Sequence, residues 1–136
     1  MTSPTPEPAA RPLSPHLQIY KPQLTSVLSI LHRMTGIGLS LALPALVAWL
    51  VALSMGGEVY EIFIACAASP VGKLLLMGWS WAFCYHLCTG IRHLIWDTGR
   101  GLELKQVYRG GYIALGVSTL LTAVLWLSIL YGRPPW

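Results

Sequence analysis

The chain has 136 residues, of which 54% are hydrophobic and only 10% are charged, and its mean hydropathy is +0.59. This composition leaves too little polar surface to coat a soluble globular domain and indicates a protein whose main solvent is membrane lipid. The net charge of +4 comes from basic residues near the ends of apolar segments, which indicates membrane topology and predicts no nucleic-acid partner.

The first 24 residues differ from the rest of the chain. Residues 1–10 are rich in Pro, Thr and Ala and contain no Lys or Arg, which is typical of a disordered tail and unlike a signal or transit peptide. Pro12, Pro15 and Pro22 prevent a continuous helix in the next stretch. We therefore predict, over residues 1–24, a disordered tail followed by an extended arm that lies at the cytoplasmic interface and contacts another protein.

Three charge-free apolar runs follow, each long enough to cross a hydrocarbon core of ~30 Å. They cover residues 34–57, 74–91 and 110–132. With capping and turn signals added, the pattern predicts transmembrane helices at about 25–54, 70–98 and 112–131, within an anchor domain over 25–136. The predicted fold class is an all-α membrane protein, a bundle of three transmembrane helices. No strand pattern competes, and no internal repeat is apparent.

The basic residues predict the orientation, because Lys and Arg near helix ends are retained on the cytoplasmic side. With three spans, the segment before the first helix and the loop between the second and third helices lie on the same face. Seven of the nine Lys and Arg residues belong to that face, and only Lys73 and Arg133 belong to the other. We therefore predict a cytoplasmic N-terminus.

The second helix carries the most informative side chain, His86. It lies about four residues from the middle of its apolar run, and therefore only ~5 Å from the bilayer centre. An ionisable side chain at that depth marks a functional site, and imidazole is a common axial ligand of haem iron. Gly90, one turn further on, leaves room for a flat cofactor or a neighbouring helix. Haem ligation and a hydrogen bond within the bundle are both open, and a second histidine ligand would have to come from a partner subunit.

Further polar residues lie nearer the surface. On the second helix, His93 is expected to pair with Asp97 or to reach water. On the first helix, Ser29 and Arg33 are candidates for a quinone head group, since a hydroxyl can bond its carbonyl oxygen and a guanidinium can stabilise charge developed on reduction. The alternative is simple anchoring, with Arg33 reaching lipid phosphate, Ser29 bonded to its own backbone and His32 lying among the head groups.

Three motifs then resemble a known family, the cytochrome b membrane-anchor subunits of succinate dehydrogenase (respiratory complex II). They are RPLSPHLQIY at 11–20, SILHRMTG at 29–36 and HLCTGIRHLIWD at 86–97. The motifs are long, and the resemblance covers nearly the whole chain after residue 10.

The resemblance implies a role for each candidate residue. It implies that His86 is one axial ligand of haem b and that a second, smaller membrane-anchor subunit completes the bundle and supplies the other. Ser29 and Arg33 would line the ubiquinone site, and the haem propionates would lie near His32, Arg92 and His93. The other implied partners are the iron-sulfur subunit and the flavoprotein subunit, where succinate is oxidised; no catalytic residue is expected in this chain. The implied location is the bacterial inner (cytoplasmic) membrane, or alternatively the mitochondrial inner membrane.

Two other functions are compatible with the residues. One is a haem-free structural anchor of a related dehydrogenase or fumarate reductase. The other is a small transporter subunit that uses His86 and Arg33 as a polar pathway, although three helices with one deep ionisable residue make a thin pathway.

Overall fold

The structure, a computed structural model, describes residues 21–132, and this part of the chain is almost entirely helical and contains no strand. Its helices are α1 (Leu24–Met55), α2 (Gly57–Ala68), α3 (Pro70–Asp97) and α4 (Leu104–Tyr131). Three of them, α1, α3 and α4, are long and apolar enough to cross a membrane. The predicted all-α transmembrane fold class is therefore confirmed. Most of the predicted tail and arm, and the last four residues, lie outside the described residues.

The helix bounds differ from the prediction in two places. The predicted spans at 25–54 and 70–98 differ from α1 and α3 by one residue or less at each end, but α2 occupies what was expected to be a loop. Its short apolar sequence gives no separate spanning signal. The third span, expected from residue 112, begins at Leu104 because α4 continues through Lys105 and Arg109, whose charges remain exposed.

Local sequence explains where the helices change direction. Gly56 and Gly57 have positive φ angles of 64° and 55°, a backbone conformation that suits glycine, and α1 ends there. Ser69 then caps α3, since its side-chain oxygen accepts a hydrogen bond from the amide of Gly72 at 3.0 Å. Pro70 follows in the first turn, where its missing N–H costs nothing.

The helices pack through few and mostly small side chains. Tyr85, Thr89 and Ser118 are almost completely buried, and Thr35 and Thr122 are nearly so. Small and hydroxyl-bearing residues let membrane helices approach closely and bond across their interface. Large apolar side chains face outwards instead, as expected where lipid or partner helices cover the surface. The most polar interface is the one between α1 and α3.

Candidate functional site

Three histidines form a cluster between α1 and α3. The rings of His32 and His86 are stacked, with centroids 3.9 Å apart and planes within 9° of parallel. The ring of His93 lies 5.1 Å from that of His32 and is tilted by 56°. Trp96 closes the cluster with an edge contact to His93 at 5.1 Å. We call His32, His86 and His93 the histidine cluster.

His93 was expected to pair with Asp97 or to reach water; no pair with Asp97 is formed among the described residues, and His93 is half-buried. His93 is directed instead towards His32 and Trp96, while Asp97 is exposed at the end of α3. The prediction relied on spacing within one helix, and the ring contact with α1 across the interface replaces that local pair.

Each of the stacked rings is held by the opposite helix through its Nδ1 atom. His32 Nδ1 on α1 lies 2.6 Å from Thr89 Oγ1 on α3. His86 Nδ1 on α3 lies 3.2 Å from Thr35 Oγ1 and 3.1 Å from the backbone oxygen of His32, both on α1. Residue numbers rise along α1 as they fall along α3, so the two helices are antiparallel. We call these reciprocal bonds the threonine–histidine clasp.

The partners of Nδ1 fix the tautomer of both rings. A carbonyl oxygen can only accept, so His86 must carry its proton on Nδ1 and donate it to His32 O. The Thr89 hydroxyl donates its single proton to Tyr85 O at 2.7 Å, so it accepts from His32 Nδ1. Within residues 21–132, no hydrogen bond reaches Nε2 of either ring. His86 therefore has an Nε2 lone pair with no partner in the described part of the chain, and this is the form in which neutral imidazole binds a metal.

Gly36, the last residue of the SILHRMTG motif, lies directly against His86. A Cβ atom added at Gly36 would be 3.0 Å from His86 Cε1, a contact so short that the ring or the helix would have to shift. At Gly90, which was expected to leave room, an added Cβ would meet nothing within 4 Å, so the space beside it is open. Gly36 lets α1 approach the ring, and the space beside Gly90 remains available.

One short repeat could have predicted the clasp. The pattern His-x-x-Thr-Gly occurs at residues 32–36 and again at 86–90, although the sequence analysis found no repeat. Because α1 and α3 are antiparallel, the threonine of each copy reaches the histidine of the other. The signal was missed because it becomes meaningful only when the two helices are set side by side.

Arg92 is directed away from the histidine cluster. Its Nη2 donates a hydrogen bond to the Val107 carbonyl oxygen on α4 at 3.1 Å, and its guanidinium carbon lies 4.1 Å from the ring centroid of Trp96. Its Nε atom is buried with no partner among the described residues and faces Gly110, where an added Cβ would be 3.5 Å away. These contacts tie α3 to α4.

Ser29 and Arg33 lie one turn apart on α1, the first half-buried and the second exposed. Neither side chain has a hydrogen bond or ion pair with another described residue. Ser40, by contrast, bonds the carbonyl oxygen four residues earlier at 3.0 Å, and Ser80 does so at 2.7 Å. In the described part of the chain, the Ser29 hydroxyl therefore lacks the backbone bond expected from simple anchoring.

Fold and site together define a helical protein with three candidate membrane spans and a histidine cluster between two of them. Residues 7–125 match the family described as succinate dehydrogenase/fumarate reductase transmembrane subunit. The succinate dehydrogenase cytochrome b556 subunit of Rickettsia prowazekii is 45% identical over 117 residues, which are 86% of this chain and 91% of the relative. The Paracoccus denitrificans b556 subunit is 37% identical over 121 residues (89% and 92%). The Reclinomonas americana b560 subunit is 41% identical over 122 residues (86% and 85%).

The chain therefore belongs to the succinate dehydrogenase/fumarate reductase transmembrane subunit family. The relatives named above are cytochrome b subunits of succinate dehydrogenase. The resemblance carried by the three sequence motifs is confirmed.

Proposed function

We propose that the chain is the membrane-anchor cytochrome b subunit of a succinate dehydrogenase, holding haem b and forming part of the ubiquinone-reduction site. The observation that carries the proposal is the state of His86. Its Nδ1 proton is donated to a backbone carbonyl, and its Nε2 lone pair has no partner among the described residues. Ligating histidines commonly have this arrangement, because the outer hydrogen bond fixes the ring and raises its basicity.

The surroundings of His86 fit a flat porphyrin. The ring is held on one side by α1, and the space beside Gly90 is open. Bound haem b would supply one-electron transfer. His32 and His93 extend the cluster and are our candidates for the propionates. Arg92 fits that role less well, because its guanidinium is bonded to the Val107 carbonyl and stacked on Trp96.

The second axial ligand is assigned to a smaller partner anchor subunit. A metal lies in the plane of an imidazole that ligates it, so His32 and His86, stacked face to face, cannot both direct a ring nitrogen at one iron between them. His93 faces His32 and Trp96. Of the three histidines that the structure describes, neither of the other two is thus placed to join His86 on the same iron, which supports a partner helix that carries its own histidine.

Ser29 and Arg33 are proposed to bind the quinone head group. Ser29 would donate a hydrogen bond to a carbonyl oxygen, and Arg33 would stabilise the negative charge that develops on reduction. Both side chains lack partners among the described residues, and Arg33 is exposed near the end of a span where a lipid-soluble quinone and water can both reach it. Electrons would pass from the flavoprotein subunit to the iron-sulfur subunit, and from there to the quinone.

The proposed location is a bacterial inner membrane with the N-terminus in the cytoplasm, or the mitochondrial inner membrane as the alternative. Arg33 on α1 and Arg100, Lys105 and Arg109 around the α3–α4 loop would share the cytoplasmic face, whereas Lys73 would lie on the other.

The deciding experiment is a reduced-minus-oxidised visible spectrum of the purified complex, with His86→Ala as the comparison. We expect b-type bands in the wild type and their loss or displacement in the variant. A wild-type complex without b-type absorption would support a haem-free anchor. An assembled His86→Ala complex with an unchanged spectrum would reject the ligand assignment.

A further inference from the structure

We infer that Thr35 and Thr89 are positioning residues that fix the tautomer and ring plane of His86 and thereby set the properties of the iron. This inference rests on the proposed haem ligation by His86. Neither threonine belongs to the residues assigned to ligand, propionate or quinone binding. Both are among the most buried polar side chains of the described residues, with exposed fractions of 6% and 1%.

Thr35 acts on His86 in two ways. Its hydroxyl proton is donated to His32 O at 2.8 Å, so its oxygen can accept from His86 Nδ1, which lies 3.2 Å away. The bond from Thr35 to His32 O also holds that carbonyl oxygen in place. His32 O is the second acceptor of the His86 Nδ1 proton and lies 3.1 Å from Nδ1. Thr35 is thus one acceptor and stabilises the other. Two acceptors on the outer nitrogen make the ring a stronger electron donor to a metal at Nε2.

Thr89 acts on His86 through His32. It accepts the Nδ1 proton of His32 at 2.6 Å, and its own proton is used on Tyr85 O. The His32 ring is thereby fixed, and its face lies against the face of His86, nearly parallel at 3.9 Å. Rotation of the His86 ring out of its present plane would therefore collide with a ring that Thr89 holds in place.

Ordinary helix back-bonding does not account for this arrangement. Thr122 on α4 is equally buried, at 6% exposed, and donates to the carbonyl four residues earlier at 2.9 Å. It resembles Thr89 in both respects but contacts no histidine. Thr122 is therefore the matched control for removing a buried hydroxyl from a spanning helix.

The test uses the purified complex with Thr35→Val and Thr89→Val. The controls are Thr35→Ser, Thr89→Ser and Thr122→Val. The readouts are the midpoint potential of the haem and the electron paramagnetic resonance g-values of its oxidised form, which respond to the angle between the axial ring planes. We expect Thr35→Val to shift the potential in the positive direction, because the ligand loses an acceptor. Thr89→Val should change or broaden the g-values. The serine variants and Thr122→Val should match the wild type.

Each outcome decides a separate question. Assembled Thr35→Val and Thr89→Val complexes with wild-type potential and g-values would overturn the inference, and so would a Thr122→Val complex changed to the same extent. Should a valine variant fail to assemble, alanine at that position removes the hydroxyl without adding bulk and carries the same expectation. Absence of b-type haem, or an unchanged His86→Ala spectrum, would reject the proposed function instead.

Discussion

The hydroxyl of Tyr85 donates a hydrogen bond to the carbonyl oxygen of Leu28 at 3.0 Å, and Tyr85 is completely buried. The bond joins α3 to α1 immediately before Ser29. The side chain also stacks on Trp81 at 5.2 Å. One buried phenol on α3 thus holds the segment of α1 from which the proposed quinone residues project.

Tyr85→Phe removes this bond and keeps the ring. A net hydrogen bond of this kind contributes about 0.5–1.5 kcal/mol, so we expect a small fall in the thermal unfolding midpoint of the complex and a raised KM for quinone. Succinate oxidation with an artificial acceptor should not change. Tyr112→Phe, at a residue that is 62% exposed, is the control. An identical quinone KM in Tyr85→Phe and wild type would contradict the positioning role.

Arg33→Leu tests the proposed quinone site. Loss of one donor to a developing oxyanion costs about 10²–10³-fold in rate in well-studied sites; because Arg33 is exposed, we expect a smaller loss of quinone reductase activity, on the order of tenfold. Succinate oxidation by an artificial acceptor should be retained. Lys73→Leu is the matched control, since Lys73 is also basic, exposed and near a helix end. Equal loss of both activities in Arg33→Leu would refute the local role.

Gly36→Ala tests the close contact between α1 and His86. The added Cβ would be 3.0 Å from His86 Cε1, so the ring or the helix must shift. We expect a displaced or weakened haem spectrum. Gly38→Ala changes the same helix two residues away, where an added Cβ meets nothing within 4 Å, and alanine there should be neutral or stabilising by about 0.5–1 kcal/mol. If the two variants have the same spectrum, the ring does not depend on Gly36.

Arg92→Lys distinguishes two roles of Arg92, linking α3 to α4 and contacting a haem propionate. Lysine keeps the charge but loses the planar group that bonds Val107 O and stacks on Trp96. We expect the complex to lose about 1–3 kcal/mol of stability, measured as a lower thermal unfolding midpoint, and to keep its haem potential. Arg109→Lys at an exposed position of α4 is the control. A shifted haem potential with unchanged stability would instead favour contact with a propionate.

The sequence predicts the spanning helices well because their signal is local. Long charge-free runs have few alternatives in a bilayer, and His86 is conspicuous because it interrupts one of them. The short helix α2 was not predicted because it is too short to give a spanning signal. The early start of α4 was not predicted because Lys105 and Arg109 interrupt the apolar run, although both lie on the helix with their charges exposed.

The contacts within the site depend on how two helices meet, which periodicity in one helix does not report. Spacing along α3 suggested that His93 pairs with Asp97, but the ring contacts His32 across the interface. His93 and Arg92 are adjacent in the sequence, but successive helical residues point ~100° apart, so the His93 ring contacts α1 whereas Arg92 reaches α4. The two copies of His-x-x-Thr-Gly, one on each of the antiparallel helices α1 and α3, indicate which residues meet across the interface.

The threonine–histidine clasp also limits sliding between α1 and α3. Both helices are largely apolar, and apolar surfaces can slip past one another with little loss of dispersion energy. A slip of one turn, ~5.4 Å, would break the bond at Thr35 and the bond at Thr89 together, because the two run in opposite directions across the same interface. These reciprocal bonds thus fix the relative height of α1 and α3, and with it the position of the stacked rings that the two helices carry.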